Sequence, residues 1–334
     1  DAVSIHFWHP ISEQIRYKAG QFLTVLIPGN DGKKVRRSYS MSSSPATDSS
    51  VAITVKRVKG GLVSNYLCDQ VREGDFLEVI EPMGRFIYEP EAPHQGGLVM
   101  IAAGSGITPL FSILKTVLKT TDRRVLLIYG NRNEESIIFK DTLQKLESEY
   151  AGRFTVVHIL SRPSGYWVGH RGRINQANGI WFMKENRVDF KNDFFYMCGP
   201  EAIMDEMHKI YELFEVPDEH IFYERFNAPV QDDEELLEKL PDLKKQTVTV
   251  HYDGETHVFE VEPHQTILEA ALELDIDLPY SCQAGMCTAC LGKCLEGQVK
   301  MDEDEGLTEK EIAAGYVLTC VSRPMSEGVI IEID

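Results

Sequence analysis

The sequence contains no run of about 18 consecutive apolar residues, the length that a helix needs to span a bilayer. Its first residues also lack the basic-then-apolar pattern of a secretory signal peptide, so a cytoplasmic location is predicted. Internal repeats and low-complexity tracts are missing, and 43% hydrophobic with 26% charged residues is an ordinary globular composition. At 334 residues the chain is long enough for two or three hydrophobic cores.

Basic residues are scarce in the last third of the chain. Residues 231–334 hold 24 Asp and Glu against 7 Lys and Arg, whereas residues 1–230 hold 28 against 27. This excess of negative charge argues against nucleic acid as a partner, because phosphates would be repelled. It indicates either a solubilising surface or an acidic docking face that meets a basic patch on a partner protein.

The cysteines do not suit a disulfide framework, because their count of seven is odd and they are unevenly spread. Five of them fall within the last sixth of the chain, which favours metal or redox chemistry there. Four follow the spacing Cys-x4-Cys-x2-Cys…Cys with which plant-type ferredoxins ligate a [2Fe–2S] cluster. These four are Cys282, Cys287, Cys290 and Cys320.

The loop between these cysteines contains small residues, including Gly285, so its backbone N–H groups can approach inorganic sulfide closely. A zinc site is the alternative for four cysteines. Such sites usually contain two Cys-x2-Cys pairs, however, and this sequence has one. Cys294 lies outside the spacing pattern and is predicted to be a packed thiol, with replacement of one cluster ligand as the alternative.

Three domains and a linker are predicted from the order of local patterns. Residues 1–94 contain short strand-like runs punctuated by Gly and Pro, which indicates a small β-barrel. Residues 95–228 alternate apolar runs with helical patterns, which predicts a parallel sheet with helices on both faces. Residues 229–245 are acidic and Pro-bounded, as is typical of a linker before a third domain at 246–334. The predicted strands of the first two domains are 22–27, 51–58, 76–80, 97–103, 124–129, 154–160 and 193–197.

The third domain begins with a predicted hairpin and helix. Residues 247–252 and 256–261 flank Asp253-Gly254, a strong signal for a two-residue hairpin turn. Thr266 is followed three residues later by Glu269, which matches a capping box. A helix over residues 266–274 is therefore predicted.

Two motifs in the first domain suit a flavin nucleotide. In the segment 37–40, Arg-Ser-Tyr-Ser, the forked guanidinium of Arg37 can pair with a pyrophosphate. The tyrosine two residues later points the same way from an extended backbone and can lie against a flat ring. Gly60 and Gly61 open a predicted helix with Ser64 in its first turn, which provides backbone donors and a helix dipole for an anion.

A third motif, Gly-Ser-Gly-Ile-Thr-Pro at residues 104–109, follows a predicted strand and opens a helix near Pro109. It is not the Gly-x-Gly-x-x-Gly fingerprint of the ordinary dinucleotide-binding fold. Its glycines nevertheless let phosphates approach the backbone, and proline is favourable at a helix start. A plain strand–helix turn is the alternative interpretation.

Basic residues near two other strand ends bear on the choice of nucleotide. Arg162 comes directly after the predicted strand 154–160 and can hold a 2′-phosphate through charge-assisted hydrogen bonds. An acidic residue that would bind the bare ribose of NADH is missing at that strand end. The sequence therefore favours NADPH, with NADH left open. The residues of this basic edge are Asn131, Arg132, Ser161, Arg162, Arg171 and Arg173.

Together these motifs resemble those of the ferredoxin–NADP reductase superfamily, and residues 246–334 resemble a plant-type ferredoxin throughout. The domain order is similar to that of the reductase components of bacterial multicomponent oxygenases, of the phenylacetyl-CoA epoxidase reductase type, over nearly all of the chain. The resemblance implies a multidomain fold: an antiparallel β-barrel FAD domain, an α/β NAD(P)-binding domain and an α+β, β-grasp-like ferredoxin domain. It also implies that the first barrel strand precedes Asp1.

The resemblance implies roles for the flavin motifs. Arg37 and Ser64 would hold the pyrophosphate, Tyr39 would stack on the flavin and Ser40 would lie near its reactive N5. The expected flavin contacts are Arg37, Ser38, Tyr39, Ser40, Val55, Lys56, Gly60, Gly61, Leu62, Val63 and Ser64.

The resemblance also implies that Cys198 lies beside the nicotinamide C4. Phe226 would shield the flavin face until nicotinamide displaces it, and Glu224 would sit near the hydride path; with Ser40 these form the catalytic set. A buried core thiol is the alternative for Cys198. The expected nucleotide contacts are Gly104, Ser105, Gly106, Thr108, Pro109, Asn131, Arg132, Ser161, Arg162, Cys198, Gly199, Pro200 and Phe226.

The predicted function is electron transfer from NADPH or NADH through FAD to a [2Fe–2S] cluster in the same chain, and on to a protein acceptor. An oxygenase component that docks on the acidic ferredoxin domain is the expected acceptor. Three alternatives stay open. The first is a reductase for a membrane desaturase or hydroxylase, or for a nitric-oxide or hybrid-cluster system; the second is a redox sensor; the third is a zinc-bearing interaction module on a degenerate flavoprotein.

Overall fold

The computed structural model describes residues 1–8, 15–29, 34–89, 96–226, 244–302 and 306–333. Contacts within the chain define two compact units. Unit 1 comprises Asp1–Leu23, Tyr39–Pro82 and Phe86–Phe226, and unit 2 comprises Thr24–Ser38, Met83–Arg85 and Asn227–Asp334. Apart from residues 244 and 245, the predicted linker lies outside the described residues, and the domain boundaries remain predictions.

The N-terminal part of the chain is rich in strands, as predicted. Strand β1 (Ala2–Phe7) pairs antiparallel with β4 (Val51–Lys56), and helix α1 covers Leu62–Asp69. Strand β1 is not among the predicted strands, although Val3, Ile5 and Phe7 alternate with polar residues; none of its residues is fully buried. A three-stranded sheet of order β3-β2-β5 is formed by Lys34–Ser40, Phe22–Pro28 and Glu78–Met83.

Unit 1 contains a six-stranded sheet in which every pair of neighbouring strands is parallel, which confirms the prediction. The strand order is β11-β10-β6-β7-β8-β9. The strands are β6 (Leu98–Ala103), β7 (Val125–Asn131), β8 (Phe154–Leu160), β9 (His170–Arg171), β10 (Phe194–Gly199) and β11 (Ile221–Arg225). The helices are α2 (Ile107–Thr120), α3 (Lys140–Glu149), α4 (Gln176–Glu185) and α5 (Glu201–Phe214).

Hydrophobic cores cover both faces of this sheet. Along β6, Leu98 and Met100 pack with α2 and α3, whereas Val99 and Ile101 pack with α4 and α5. Burial on both faces explains why these strands are continuous apolar runs in the sequence. Strands β7 and β10 flank β6 on opposite sides, so the direction of winding reverses between β6 and β10. The carboxyl ends of these two strands therefore border a crevice of the kind that binds ligands in open α/β sheets.

Unit 2 contains a mixed five-stranded sheet of order β13-β12-β18-β14-β16. Its first two strands form the predicted hairpin, and Asp253 and Gly254 in its turn have positive φ values of 50° and 75°. The strands of unit 2 are β12 (Gln246–Tyr252), β13 (Glu255–Val261), β14 (Leu291–Glu296), β15 (Val299–Met301), β16 (Tyr316–Leu318), β17 (Ser322–Pro324) and β18 (Val329–Ile333).

Two short helices accompany this sheet, α6 (Ile267–Glu273) and α7 (Glu309–Ala313). The predicted capping box of α6 is confirmed. The N–H of Glu269 donates to Thr266 Oγ1 at 3.2 Å, and the N–H of Thr266 donates to the Glu269 carboxylate at 2.8 Å. The apolar side of α6 packs into the core of the unit. The cysteine loop follows α6 and precedes β14.

Candidate functional site

The glycine-rich turn at residues 104–106 lies at the carboxyl end of β6 and leads into α2, as predicted. A Cβ on Gly106 would lie 2.0 Å from the carbonyl oxygen of Cys198, so only glycine lets the turn approach the end of β10 this closely. Helix α2 begins at Ile107, slightly earlier than predicted. Pro109 therefore lies within its first turn, where the missing N–H costs little.

Three of the four predicted catalytic residues meet at this crevice. Cys198 and Glu224 are direct neighbours across the parallel strands β10 and β11, and Ser40 Oγ donates a 3.0 Å hydrogen bond to Glu224 Oε2. All three side chains are buried. Burial, with a smaller contribution from the charge of Glu224, raises the pKa of the Cys198 thiol well above its usual value. The crevice therefore contains a protonated, neutral thiol at neutral pH.

One cation lies over the glycine-rich turn, and the charge of a second acts on it. Gly104 has a φ of +55°, and a Cβ placed on it would be 3.5 Å from Lys56 Nζ, so this ammonium group lies over the turn. Burial lowers the pKa of Lys56, and the nearby charge of Arg132 lowers it further. Among the described residues no acidic side chain forms an ion pair with either cation. Two like charges held this close favour an anion between them, as a nucleotide phosphate would be.

The loop before α1 is held by side chains of that helix. Ser64 Oγ accepts a 3.2 Å hydrogen bond from the N–H of Val58, and Asn65 Nδ2 donates to the carbonyls of Val58 and Gly61 at 3.1 and 2.6 Å. Gly61 caps the helix without a side-chain hydrogen bond. The N–H groups of the first turn are thus not capped by a side chain and can bind an anion.

The basic edge forms at the ends of β7 and β8. The N–H of Ser161 donates to the Asn131 carbonyl at 3.0 Å, and the N–H of Arg162 donates to the Arg132 carbonyl at 2.7 Å. The side chains of both arginines are exposed. Arg171, by contrast, uses its guanidinium to fasten its own loop through two carbonyl oxygens.

An acidic residue near this edge, Glu134, was not recognised from the sequence. Its carboxylate accepts hydrogen bonds from the N–H and the hydroxyl of Ser164, at 3.1 and 2.5 Å. The Ser164 hydroxyl bond is the largest cause of a lowered pKa for Glu134. This carboxylate is therefore ionised at neutral pH and already engaged by the loop.

The remaining predicted contacts differ in how they can reach a ligand. Val55, Val63, Thr108 and Pro109 are buried in the core, so their side chains are enclosed by protein. Thr108 Oγ1 donates to the Ser105 carbonyl at 3.0 Å, which stabilises the turn. Phe226 is 43% exposed. In the loop before α1, the side chain of Leu62 is exposed and Gly60 has a positive φ. After β10, Gly199 packs against Ala103, and Pro200 is the N-cap residue of α5.

The part of β3 that belongs to unit 2 contacts residues of the C-terminal region. Arg37 is exposed and donates a 2.7 Å hydrogen bond to its neighbour's carbonyl. Ser38 Oγ hydrogen-bonds with Thr24 Oγ1 at 2.9 Å, and Thr24 Oγ1 also bonds with Ser281 Oγ. Arg36 Nη1 donates to the carbonyl of Tyr280 at 2.8 Å. No sequence pattern links Thr24 with Ser281 or Arg36 with Tyr280, pairs that lie more than 200 positions apart.

The four predicted cluster cysteines are linked in pairs by thiol interactions, Cys282 with Cys287 and Cys320, and Cys290 with Cys320. Bonds from the thiols of Cys287 and Cys320 lower the pKa of Cys282 to about 2. A bond from Cys320 lowers the pKa of Cys290, and the pKa values of the two donors, Cys287 and Cys320, are raised. Within the described residues, no three His, Cys, Asp or Glu side chains are grouped as a single metal ion would require.

Local turns shape the cysteine loop. The N–H of Ala284 donates to Cys282 Sγ at 3.4 Å, and Gly285 has a φ of +70°. Thr319 holds Cys320 close to the loop, because its N–H and hydroxyl donate to the Cys290 carbonyl at 3.1 and 3.2 Å. Cys294 lies in β14, packs partly against the core and donates to the Glu296 carbonyl.

Family models match three successive parts of the chain: an oxidoreductase FAD-binding domain at residues 2–88, an oxidoreductase NAD-binding domain at 100–209 and a 2Fe-2S iron-sulfur cluster binding domain at 250–325. The part of the chain that the structure describes contains no helix with the length and hydropathy of a membrane span.

The chain is similar to known proteins over its whole length. It is 36% identical to one of the subunits of 1,2-phenylacetyl-CoA epoxidase from Escherichia coli (strain K12), over 100% of this chain and 94% of that protein. It is 37% identical to the ferredoxin reductase component of 3-ketosteroid-9-alpha-monooxygenase of Rhodococcus rhodochrous, over 99% and 93%. Among solved structures, phthalate dioxygenase reductase shares the fold with a TM-score of 0.62 at 24% identity, over 100% of this chain and 94% of that one.

Proposed function

Because this chain belongs to the family of reductases that combine FAD-binding, NAD-binding and [2Fe–2S] ferredoxin domains, we propose that it passes electrons from NADPH to an oxygenase-type protein partner. The observation that carries the proposal is the match of all three domain models, in this order, along one chain. FAD, when bound, accepts the two electrons of a hydride and releases them singly to a [2Fe–2S] cluster. The protein's own residues bind and orient these groups.

The crevice between β6 and β10 is the proposed site of hydride transfer. The neutral thiol of Cys198 can lie against nicotinamide without reacting with it, because a protonated thiol is a poor nucleophile. The hydrogen bond from Ser40 fixes the Glu224 carboxylate in this buried place. Phe226, which is partly exposed, would cover the flavin when nicotinamide is absent.

Phosphate binding is assigned to the cationic and helix-terminal groups. Lys56, over the glycine-rich turn, and Arg132, whose charge acts on it, fit the nucleotide phosphates. Arg37 and Ser64 are assigned to the flavin pyrophosphate, with the first-turn N–H groups of α1 as further donors, and Tyr39 to the flavin ring. Arg162, exposed at the end of β8, is assigned to the 2′-phosphate of NADPH.

Cys282, Cys287, Cys290 and Cys320 are the proposed cluster ligands. Their spacing and the hydrogen bonds that link them fit a donor set for two irons, each of which takes two cysteine sulfurs. The presence of one Cys-x2-Cys pair, rather than the two pairs usual in structural zinc sites, makes a tetrahedral zinc site a poorer fit.

The finer features of the fold and its partner are also proposals. The antiparallel pairing of β1 with β4 supports a flavin-binding β-barrel, and the mixed sheet packed on α6 supports a β-grasp-like ferredoxin domain. The acidic charge of residues 231–334 supports docking of a basic patch on the oxygenase component, and the location is proposed to be cytoplasmic.

Cofactor analysis and turnover of the purified protein test this proposal. FAD, two irons and two acid-labile sulfides per chain are expected, with NADPH oxidised more efficiently than NADH in the presence of cytochrome c. Reduction of a purified oxygenase component then tests the partner. A colourless protein without iron or sulfide after anaerobic purification would contradict the proposal, and bound zinc would support the interaction-module alternative.

A further inference from the structure

Arg36, on β3, makes a set of contacts in unit 2 that cofactor binding does not explain. Its guanidinium stacks on the ring of Tyr280, 3.8 Å from the ring centroid, and its Nη1 donates a 2.8 Å hydrogen bond to the carbonyl of the same residue. The side chain is 18% exposed and lies 3.5 Å from the carboxylate of Asp277. A stack and a hydrogen bond from one planar group fix both the ring and the peptide of Tyr280.

A second contact lies one residue further along the chain. Ser281 Oγ hydrogen-bonds with Thr24 Oγ1, which also bonds with Ser38 Oγ at 2.9 Å. Thr24 and Ser281 are buried, so these bonds are shielded from water. Together the two contacts hold the residues that lead directly into Cys282.

Strand β3 thus contains one arginine that is assigned to the flavin and another that contacts the segment before Cys282. Arg37, assigned above to the flavin pyrophosphate, and Arg36 are adjacent, and adjacent side chains of a strand point to opposite faces. The strand proposed to bind the flavin is thus the strand that holds the entrance of the cysteine loop. Electron transfer between two redox groups depends strongly on their separation and orientation, and the protein sets both.

We propose that Arg36 is a positioning residue for electron transfer from the flavin to the cluster. It fixes the peptide before Cys282 against β3 and so sets where the cluster lies relative to the strand. This inference rests on the proposed function, because it requires both cofactors in one chain. A lysine at position 36 would keep the charge but lose the planar stack and the forked donors, so it would hold Tyr280 less firmly.

The test compares Arg36→Ala and Arg36→Lys with Arg85→Ala as a matched control. Arg85 also forms an arginine–carboxylate pair in unit 2, with Glu311 at 3.1 Å, but its side chain is 42% exposed, against 18% for Arg36. After FAD and iron have been quantified in each holoprotein, stopped-flow absorbance with NADPH follows flavin reduction and cluster reduction separately. Hydrogen exchange of the peptide covering residues 277–287 reports whether the loop is held.

Flavin reduction is expected to be unchanged in all three variants. Cluster reduction should slow roughly tenfold or more in Arg36→Ala, as for other small displacements of reacting groups. It should slow less in Arg36→Lys, and it should stay within about twofold of wild type in Arg85→Ala because exposed ion pairs contribute little. Exchange in the 277–287 peptide should be faster only in the Arg36 variants.

Wild-type cluster reduction in fully loaded Arg36→Ala would overturn the inference. If that variant does not retain its cluster, Arg36→Lys decides: slowed transfer in the loaded protein supports the inference, and wild-type transfer overturns it. These outcomes differ from failure of the proposed function, in which the wild-type cluster itself is not reduced by NADPH.

Discussion

The crevice in unit 1 is built from side chains that the sheet register brings together, whereas most of the cysteine site in unit 2 comes from one loop. Ser40 and Glu224 share a hydrogen bond across 184 sequence positions, and Cys198 joins them by strand pairing. Three of the four cysteines lie within residues 282–290 and are shaped by local turns. The crevice should therefore depend most on close backbone packing, and the loop on each individual sulfur.

The largest expected effect of a substitution on electron transfer is at the cysteine loop of unit 2. Cys287→Ser should abolish NADPH-dependent reduction of cytochrome c, because one cluster ligand is lost, while ferricyanide reduction from the flavin stays largely intact. Both rates are measured on the same preparation, together with its iron content. Cys68→Ser, which changes a cysteine outside the loop, is the control and should keep both activities. Equal loss of both activities in Cys287→Ser would show that the two regions are not separable.

The second largest effect is expected from a substitution at the crevice, which tests whether flavin reduction requires close backbone packing there. In Gly106→Ala the new Cβ would lie 2.0 Å from the Cys198 carbonyl, so the turn must move away from β10. Flavin reduction by NADPH, followed by stopped-flow, should fall by more than about 100-fold, since a shift of about 1 Å is enough for this. Cluster content should be unaffected.

Gly152→Ala is the matched control for that substitution. Gly152 differs from Gly106 in having a positive φ, +83°, but nothing lies within 4 Å of its Cβ position. This variant should lose some thermal stability from backbone strain and retain flavin reduction. If both glycine variants reduce the flavin equally well, close packing of the turn is not what the crevice requires.

The smallest effect concerns specificity at the exposed edge. Arg162→Ala should lower kcat/KM for NADPH by about tenfold, the value of one charge-assisted hydrogen bond, and leave NADH within about twofold. Steady-state kinetics with both nucleotides measures the ratio, and Arg72→Ala serves as a surface control. An unchanged preference would reject the phosphate assignment and direct attention to Glu134 as a ribose ligand.

Several local features could be predicted from the sequence because neighbours along the chain determine them. The Asp253-Gly254 turn needs two residues with positive φ, and the Thr266 capping box needs a hydroxyl and a carboxylate three residues apart. The apolar runs of the parallel sheet reflect burial on both faces. Strand β1 was missed although Val3, Ile5 and Phe7 alternate with polar residues; its position in the fold depends on pairing with β4, about 50 residues later in the sequence.

The sequence by itself determined the number and kind of cofactor motifs, since cysteine spacing and glycine-rich turns are short-range patterns with short-range physical causes. Only the tertiary structure decided which side chains face one another: the bond between Ser40 and Glu224, the neighbouring charges of Lys56 and Arg132, and the hold of Arg36 on Tyr280. Such contacts depend on strand register and on folding of distant segments, and no local pattern records them.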